Sequence, residues 1–160
     1  MTRYVPEGTV EVALVTTIVA PATPTPTELN NAVDITAALV GDLVLPFEGS
    51  AADSADMSSK FNSTVDSDYG GQPGSFTIHK EKDSGADVVF TALARGTTGW
   101  IAIAVRGLAT PGTYAAGDKI DLVPIKVLSR TQQYARGTTM RVAVQVAITG
   151  VPLEDYTLTI

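Results

Sequence analysis

Residues 138–149 read TTMRVAVQVAIT, and their pattern decides the fold. Every second side chain is apolar: Met140, Val142, Val144, Val146 and Ile148. The side chains between them are small or polar: Arg141, Ala143, Gln145, Ala147 and Thr149. Successive side chains of a strand point to opposite faces of the sheet. The stretch is therefore predicted to be a strand with one face on a core and the other face away from it.

Other segments extend the β pattern in both directions. Val, Ile and Thr make up 48 of the 160 residues, and these β-branched types pack well on a pleated surface. Thr9–Ala20 is predicted to be a strand that is apolar on both faces and hence covered on both. Further strands are predicted at Leu43–Phe47, Ser75–Lys82, Trp100–Val105, Ile120–Leu128 and Leu153–Ile160. We expect a mainly β chain that forms one domain over residues 1–160.

Two segments favour helix. Ala86, Val89, Phe90 and Leu93 fall at the spacing of an amphipathic stripe, which predicts a helix over about residues 85–94. Ser84 and Asp87 resemble the start of a capping box, and Gly96 suits the helix exit. A single helical turn with Thr27 as its cap is predicted after the proline-rich segment 21–26.

One short motif occurs twice. Ala94-Arg-Gly-Thr-Thr98 recurs as Ala135-Arg-Gly-Thr-Thr139, each time just before a predicted strand. Because the flanking segments differ, we interpret the motif as shared turn chemistry in which Gly supplies a positive φ.

A long polar insert interrupts the strands between Glu48 and Gly74. Its 27 residues are mostly Ser, Ala, Asp and Gly. Connections longer than about 12–15 residues are uncommon in compact domains and usually have a function. The insert has few apolar side chains, and their burial cannot offset the entropy lost when the insert is ordered. It is therefore either disordered or partnered by something outside its own fold. We favour the second interpretation: a subunit completed by copies of itself. The alternation of Phe61, Ser63 and Val65 indicates that part of it extends as a ribbon.

Charge and composition narrow the function classes. The net charge is −6, which disfavours general affinity for a nucleic acid backbone. Residues 1–80 carry 3 basic and 10 acidic side chains, whereas residues 81–160 carry 8 basic and 7 acidic side chains. No run reaches the roughly 18 apolar residues of a membrane span, so we expect no membrane partner.

The sequence offers little chemistry. There is no Cys, and the one histidine, His79, lies in a charged strand, so a zinc site and a thiolate nucleophile are both disfavoured. Asp66-Ser-Asp68-Tyr-Gly70 lacks the ligands of a calcium loop and is better interpreted as a turn. An enzyme is the weakest of the main classes, and we expect no catalytic residues, no metal and no cofactor.

Several segments in a fixed order resemble the major tail (tail tube) proteins of long, non-contractile-tailed bacteriophages. They are Pro26–Thr36, Ser54–Phe61, Arg95–Ile103 and Ala116–Val127, followed by a strand that ends near Thr149. The resemblance covers most of residues 10–150. It implies a β-sandwich or partial barrel flanked by one helix, with a long loop at 48–74 that reaches neighbouring subunits.

The resemblance also implies a function. Six subunits would join their sheets into a ring, and stacked rings would form the hollow tube of the phage tail through which genomic DNA passes. The partners would be other copies of the chain, the tape-measure protein, the tail terminator and initiator proteins, and transiting double-stranded DNA that is not specifically bound. The location would be the virion, after assembly in the host bacterial cytoplasm.

Contacts between subunits are hypothesised for the insert. Met57, Phe61 and Tyr69 would be its apolar anchors, although packing within the same chain is the alternative. Its acidic residues would meet basic residues of a neighbour; the acidic set is Asp53, Asp56, Asp66 and Asp68, and the basic set is Arg95, Arg106 and Arg136. The polar face of the 138–149 strand would line the lumen, with a ring-to-ring or outer-face location equally possible; its residues are Arg141, Ala143, Gln145, Ala147 and Thr149.

Two other classes compete with this interpretation. One is a tube protein of a contractile injection system or a type VI-like system. The other is a β-sandwich surface binding module, which would favour a cluster of exposed aromatic residues. Trp100 instead sits in an apolar run and is expected to be buried, which counts against the binding module.

Overall fold

The computed structural model describes residues 9–53, 64–82, 85 and 87–159. Its ten strands are β1 (Glu11–Val15), β2 (Val33–Asp34), β3 (Leu39–Val44), β4 (Phe47–Asp53), β5 (Thr64–Gly71), β6 (Gly74–His79), β7 (Thr98–Ala104), β8 (Lys119–Gln133), β9 (Arg141–Ile148) and β10 (Leu153–Thr157). Two short α-helices accompany them, α1 (Pro26–Asn30) and α2 (Val88–Ala92), with a 3-10 turn at Thr36–Ala38. The mainly β fold with few helices is confirmed.

Eight of the strands form one antiparallel sheet in the order β2-β1-β7-β8-β9-β6-β3, with β10 also paired to β8. The long strand β8 joins two halves of this sheet. Its residues Asp121–Lys126 pair with β7 on one side, and its residues Ile125–Gln133 pair with β9 on the other. The register of the β8–β9 pair shifts between Val127 and Ser129, which marks a bulge where the strand passes from one half to the other.

The sheet curls around its main core. Strands β1 and β6 are four steps apart in the sheet, about 19 Å if it were flat. Nevertheless Val12 and Leu14 of β1 belong to the same buried cluster as Phe76 and Ile78 of β6. The sheet must therefore bend, as in a partial barrel. Val142, Val144 and Val146 of β9 are fully buried in this cluster, which confirms the predicted inward face of the 138–149 strand.

The opposite face of β1 supports a second cluster. Ala13 and Val15 pack there with Leu29 of α1, Leu122 and Leu158. Strand β1 is thus buried on both faces, as its sequence predicted. It is shorter than the predicted Thr9–Ala20 because the chain leaves the sheet after Val15: Val19 is 89% exposed and its backbone N–H donates to Glu28 Oε1 over 2.7 Å.

The helix at the amphipathic stripe is shorter than predicted. It covers Val88–Ala92 rather than residues 85–94. Ser84 lies outside the described residues, and Asp87 is the N-cap without a side-chain capping hydrogen bond. The helix ends early because the chain rejoins the sheet within a few residues. Gly96 donates its N–H to Val127 O over 2.8 Å.

The predicted cap of the first helix was wrong by two residues. Thr25, not Thr27, is the N-cap of α1, and Pro26 is at the start of the helix. Thr25 Oγ1 accepts a hydrogen bond from Glu28 N, while Glu28 Oε2 accepts one from Thr25 N over 2.9 Å. This is a complete capping box, which suits a helix too short to be stable alone.

Three further expectations have clear outcomes. Gly96 and Gly137 of the repeated motif both have positive φ, 86° and 80°, as the turn interpretation required. The predicted strand Leu43–Phe47 was wrong, since β3 ends at Val44 and β4 begins at Phe47. Trp100 is only half-buried, where it packs beside the second cluster.

Candidate assembly surfaces

The polar face of β9 continues across its neighbours. Gln145 lies directly opposite Ser75 of β6 and Ser129 of β8, and Ala143 lies opposite Thr77 and Thr131. Directly opposed residues share a face of the sheet. Ser129 Oγ donates to Gln145 Oε1 over 3.2 Å. The centre of this face is thus built from small uncharged side chains, while the cations Lys126 and Arg141 lie towards its two ends.

Two edges of this half-sheet carry no described strand. One is the outer edge of β3, the last strand in the sheet order. The other is the edge of β8 beyond Val127, because the pairing with β7 ends at Lys126 and the last backbone bonds on that side join Val127 to Gly96 and Thr97. Exposed strand edges present unpaired N–H and C=O groups to which another chain can add. The half-sheet β3-β6-β9-β8 therefore has a potential pairing edge on each side.

The insert contains a two-stranded antiparallel ribbon separate from the large sheet. Strands β4 and β5 pair from Phe47↔Gly71 to Asp53↔Thr64, with a bulge between Ser50 and Ala51. Seven residues of β4 give a ribbon about 20 Å long. The expected ribbon is therefore present at residues 64–71, while Phe61 and Ser63 lie outside the described residues.

The predicted contact residues are distributed as follows. Asp53 lies on β4, and Asp66, Asp68 and Tyr69 lie on β5. Asp56, Met57 and Phe61 lie outside the described residues. Arg95 and Arg136 are exposed in the turns that precede β7 and β9.

Arg106 differs from the other two arginines because it already has a partner on its own chain. Its Nη2 lies 3.3 Å from Asp155 Oδ1, and Lys119 Nζ lies 2.7 Å from Asp155 Oδ2. The hydrogen bond from Lys119 lowers the pKa of the Asp155 carboxyl, and the charges of Arg106 and Lys119 act in the same direction. Asp155 has a φ of 49°, within a bulge of β10 that this pair of cations brackets.

Sequence reasoning missed a cationic cluster around Phe90 of α2. Lys80 Nζ lies 4.0 Å and Arg130 Cζ 4.1 Å from the centre of the Phe90 ring. Arg130 Nη1 also donates to Phe90 O over 2.7 Å. The available signal was Lys80 itself, since it continues the alternation of Phe76 and Ile78 and so starts from the core side of β6.

An open cleft of about 540 Å³ lies at the other end of the sheet. Its walls are mostly apolar, from Leu43, Leu45, Val105 and Pro152, and its polar lining consists of Arg106, Asp121, Glu154 and Asp155. A much smaller cavity lies beside Tyr114, whose buried hydroxyl has no hydrogen-bond partner among the described residues. Burial, followed by the charge of Glu11, raises the pKa of this phenol.

Within the described part of the chain, no three His, Asp or Glu side chains are grouped as metal ligands would be. Among the same residues, no helix combines the length and the apolar character needed to span a bilayer.

Comparisons with known proteins agree with one another. A family model described as phage tail tube protein matches residues 1–159. The fold is similar to a chain in the tail of an empty gene transfer agent particle refined with C6 symmetry, at a TM-score of 0.54 and 9% identity over 78% of this chain and 88% of that one. It is also similar to a chain in the virion of a native gene transfer agent particle. The TM-score is 0.51 and the sequence identity is 10%, over 74% of this chain and 86% of that one.

A third solved structure shares the fold over nearly the whole chain. It is the six-fold symmetrised baseplate of the anti-feeding prophage, matched at a TM-score of 0.58 and 8% identity over 96% of this chain and 98% of that one. No curated protein sequence matches the chain.

Proposed function

Because this chain belongs to the phage tail tube protein family, we propose that six copies close into a ring and that stacked rings form the hollow tube of a long, non-contractile phage tail. The family assignment makes the chain a structural component of the virion tail. The ring, its symmetry and the type of tail are the proposal.

The half-sheet β3-β6-β9-β8 with two unpaired edges is the observation that carries the ring. If the outer edge of β3 pairs with the Ser129–Gln133 edge of the next copy, the strands continue from subunit to subunit. Closure then covers both of these edges, which would otherwise invite disordered aggregation. The six-fold symmetry of two of the solved structures with this fold supports a ring of six.

The polar face of β9 is proposed to line the lumen. In a closed ring one face of the continuous sheet points inward, and the face that bears Ala143, Gln145 and Ala147 is the one without a buried core. Small uncharged side chains make a smooth wall. A ring of six would carry about −36 in total, six times −6, which repels DNA weakly instead of binding it. Double-stranded DNA would then pass without specific contacts.

The insert is proposed to make the contact between rings. Its ribbon extends from the sheet as a separate element, and the anchors hypothesised for it are Met57, Phe61 and Tyr69. A ring interface closes, whereas a ring-to-ring interface is repeated without end, so a tube needs both. The tape-measure protein would occupy the growing tube. The tail initiator and terminator proteins would lie at its two ends.

Negative-stain microscopy of the concentrated protein tests the proposal. The wild-type chain is expected to form tubes, or rings that stack into tubes. A variant that lacks residues 52–70 is expected to keep the circular dichroism and urea unfolding of the large sheet but to form no tubes. Tubes of normal length from this deletion variant would contradict the role of the insert, and single particles of the wild type at all concentrations would contradict the ring.

A further inference from the structure

The ribbon of the insert is strongly acidic. Strands β4 and β5 together carry Glu48, Asp53, Asp66 and Asp68 and no basic residue. Four like charges on a ribbon about 20 Å long repel one another, and a cationic surface is the partner that relieves this repulsion.

The root of the ribbon and the Phe90 cations lie at opposite ends of the same strand. The ribbon returns to the sheet just before Gly74, where β6 begins. Lys80 follows His79, where β6 ends, and its N–H donates to Met140 O at the start of β9. A strand of six residues separates the two points by about 20 Å.

The end that carries Lys80 is rich in cations. Lys82 follows Lys80, Arg141 lies opposite His79, and Arg136 occupies the adjoining turn. The acids in this part of the chain are Glu81, Asp83 and Asp87, and Asp87 is buried as the N-cap of α2. The opposite end bears the acidic ribbon together with Asp121, Glu154 and Asp155. The Lys80 end therefore has an excess of cations, whereas the opposite end has an excess of carboxylates although Arg106, Lys119 and Lys126 also lie there.

We name Lys80, Phe90 and Arg130 the basic patch. Both cations are half-buried against the ring, and no described carboxylate lies within ion-pair distance of either one. Arg95 and Arg136 are exposed and lack such an aromatic surface, and Arg106 is already paired with Asp155. Of the candidate basic sites, the basic patch is the one where two cations converge on one ring with no described carboxylate as ion-pair partner.

We propose that the basic patch receives the acidic β4–β5 ribbon of a second copy in the adjacent ring. This inference rests on the proposed function and names the receptor of the ring-to-ring contact. Unlike ends meet in such a contact, so it is heterologous and is repeated along the tube with a fixed polarity. Steering by opposite charges also makes the contact sensitive to ionic strength.

A cross-linking experiment tests it on the full chain. Normal and heavy-isotope-labelled subunits are mixed and treated with a carbodiimide, which joins carboxylates to lysine amines in direct contact. Mass spectrometry then identifies peptides that contain one partner from each subunit. We expect inter-subunit cross-links from Lys80 to β4 or β5, and we expect them to decrease as salt is raised.

Charge reversal supplies the second arm. Lys80→Glu is expected to lower tube yield at least about tenfold, as is the double change Asp66→Lys with Asp68→Lys. The chain that carries all three changes is expected to regain tubes. Thr27→Glu is the control for an added negative charge, because this exposed residue of α1 lies away from the basic patch and from the polar face of β9, and it should assemble like the wild type. Circular dichroism and urea unfolding establish that each variant is folded.

The outcomes separate this inference from the proposed function. Tubes that form equally well with Lys80→Glu, or inter-subunit cross-links that avoid Lys80, overturn the basic patch and leave the tube standing. A Lys80→Glu variant that keeps its tubes but loses DNA retention would assign the patch to nucleic acid and also overturn the inference. A wild type with neither tubes nor inter-subunit cross-links overturns both.

Discussion

Arg130 of β8 holds the carbonyl oxygen of Phe90 at 2.7 Å, and its guanidinium also lies against the Phe90 ring. The helix is only five residues long and carries no side-chain cap at Asp87, so this tertiary contact supplies what the helix lacks. One arginine thereby fixes α2 over the core and, at the same time, sets the position of the basic patch.

Replacing that arginine should loosen the helix. We expect Arg130→Ala to lower the free energy of unfolding by about 1–2 kcal/mol, since a hydrogen bond to a charged group and a cation–π contact are both lost. Urea unfolding measures the change. Arg136→Ala, in an exposed turn, is the control and should stay within about 0.5 kcal/mol of the wild type. Equal effects of the two changes would show that the contact contributes nothing.

Gly99 is required where β7 approaches β1. A Cβ atom at this position would lie 2.5 Å from Val15 O, closer than such atoms can approach. Gly99→Ala should therefore force β1 and β7 apart and cost about 1–3 kcal/mol of stability. At Gly150 the nearest atom to an added Cβ is Pro124 Cγ at 3.4 Å, so Gly150→Ala is the matched control with little effect. Urea unfolding measures both changes. An unfolding midpoint for Gly99→Ala equal to that of the wild type would count against the close approach of the two strands.

Glu28 should make stability depend on pH in the acid range. Hydrogen bonds from the backbone of Val19 and Thr25, and from the Thr25 hydroxyl, lower the pKa of its carboxyl below 4.5 in the folded chain. A lowered folded-state pKa contributes stability above the unfolded value, and that contribution is lost as the pH falls through the folded pKa. The wild type should have a higher free energy of unfolding than Glu28→Gln. This difference should be largest at neutral pH and should shrink below about pH 4.5. Urea unfolding of both proteins across this range measures it, and an advantage that grows in acid would contradict the assignment.

A single cysteine at position 145 tests the lumen assignment, and the chain has no native cysteine to interfere. In free subunits Gln145→Cys should react with small and with polymer-linked maleimides, because Gln145 is exposed. In assembled tubes only the small reagent should react at the same rate, since the wall excludes the bulky one. Ready modification of tubes by the bulky reagent would rule out the lumen.

Regular alternation made the faces of individual strands predictable. The burial of Val142, Val144 and Val146 and the burial of β1 on both faces follow from the spacing of apolar residues alone. The positive φ of Gly96 and Gly137 followed from local turn chemistry in the same way. Each of these is a property of neighbours in the sequence.

The candidate contact residues between subunits stay predictions. The insert was recognised because it cannot bury its own surface, but composition does not say which basic residues already have an acidic neighbour on their own chain. The pair between Arg106 and Asp155, 49 residues apart in sequence, is visible only in the structure. The Phe90 cations come from β6 and β8 and could not be grouped in advance.

The sequence by itself determined that the chain is mainly β, which side chains of β1 and β9 face a core, and that residues 48–74 form an acidic insert. These follow from local periodicity and composition, which act over a few residues. Only the tertiary structure decided that β8 bridges two half-sheets, that no described strand covers two of the sheet edges, and that Lys80 and Arg130 converge on Phe90. Such relationships depend on how distant segments pack around a shared core, and pairing across the sheet is set by the whole chain at once.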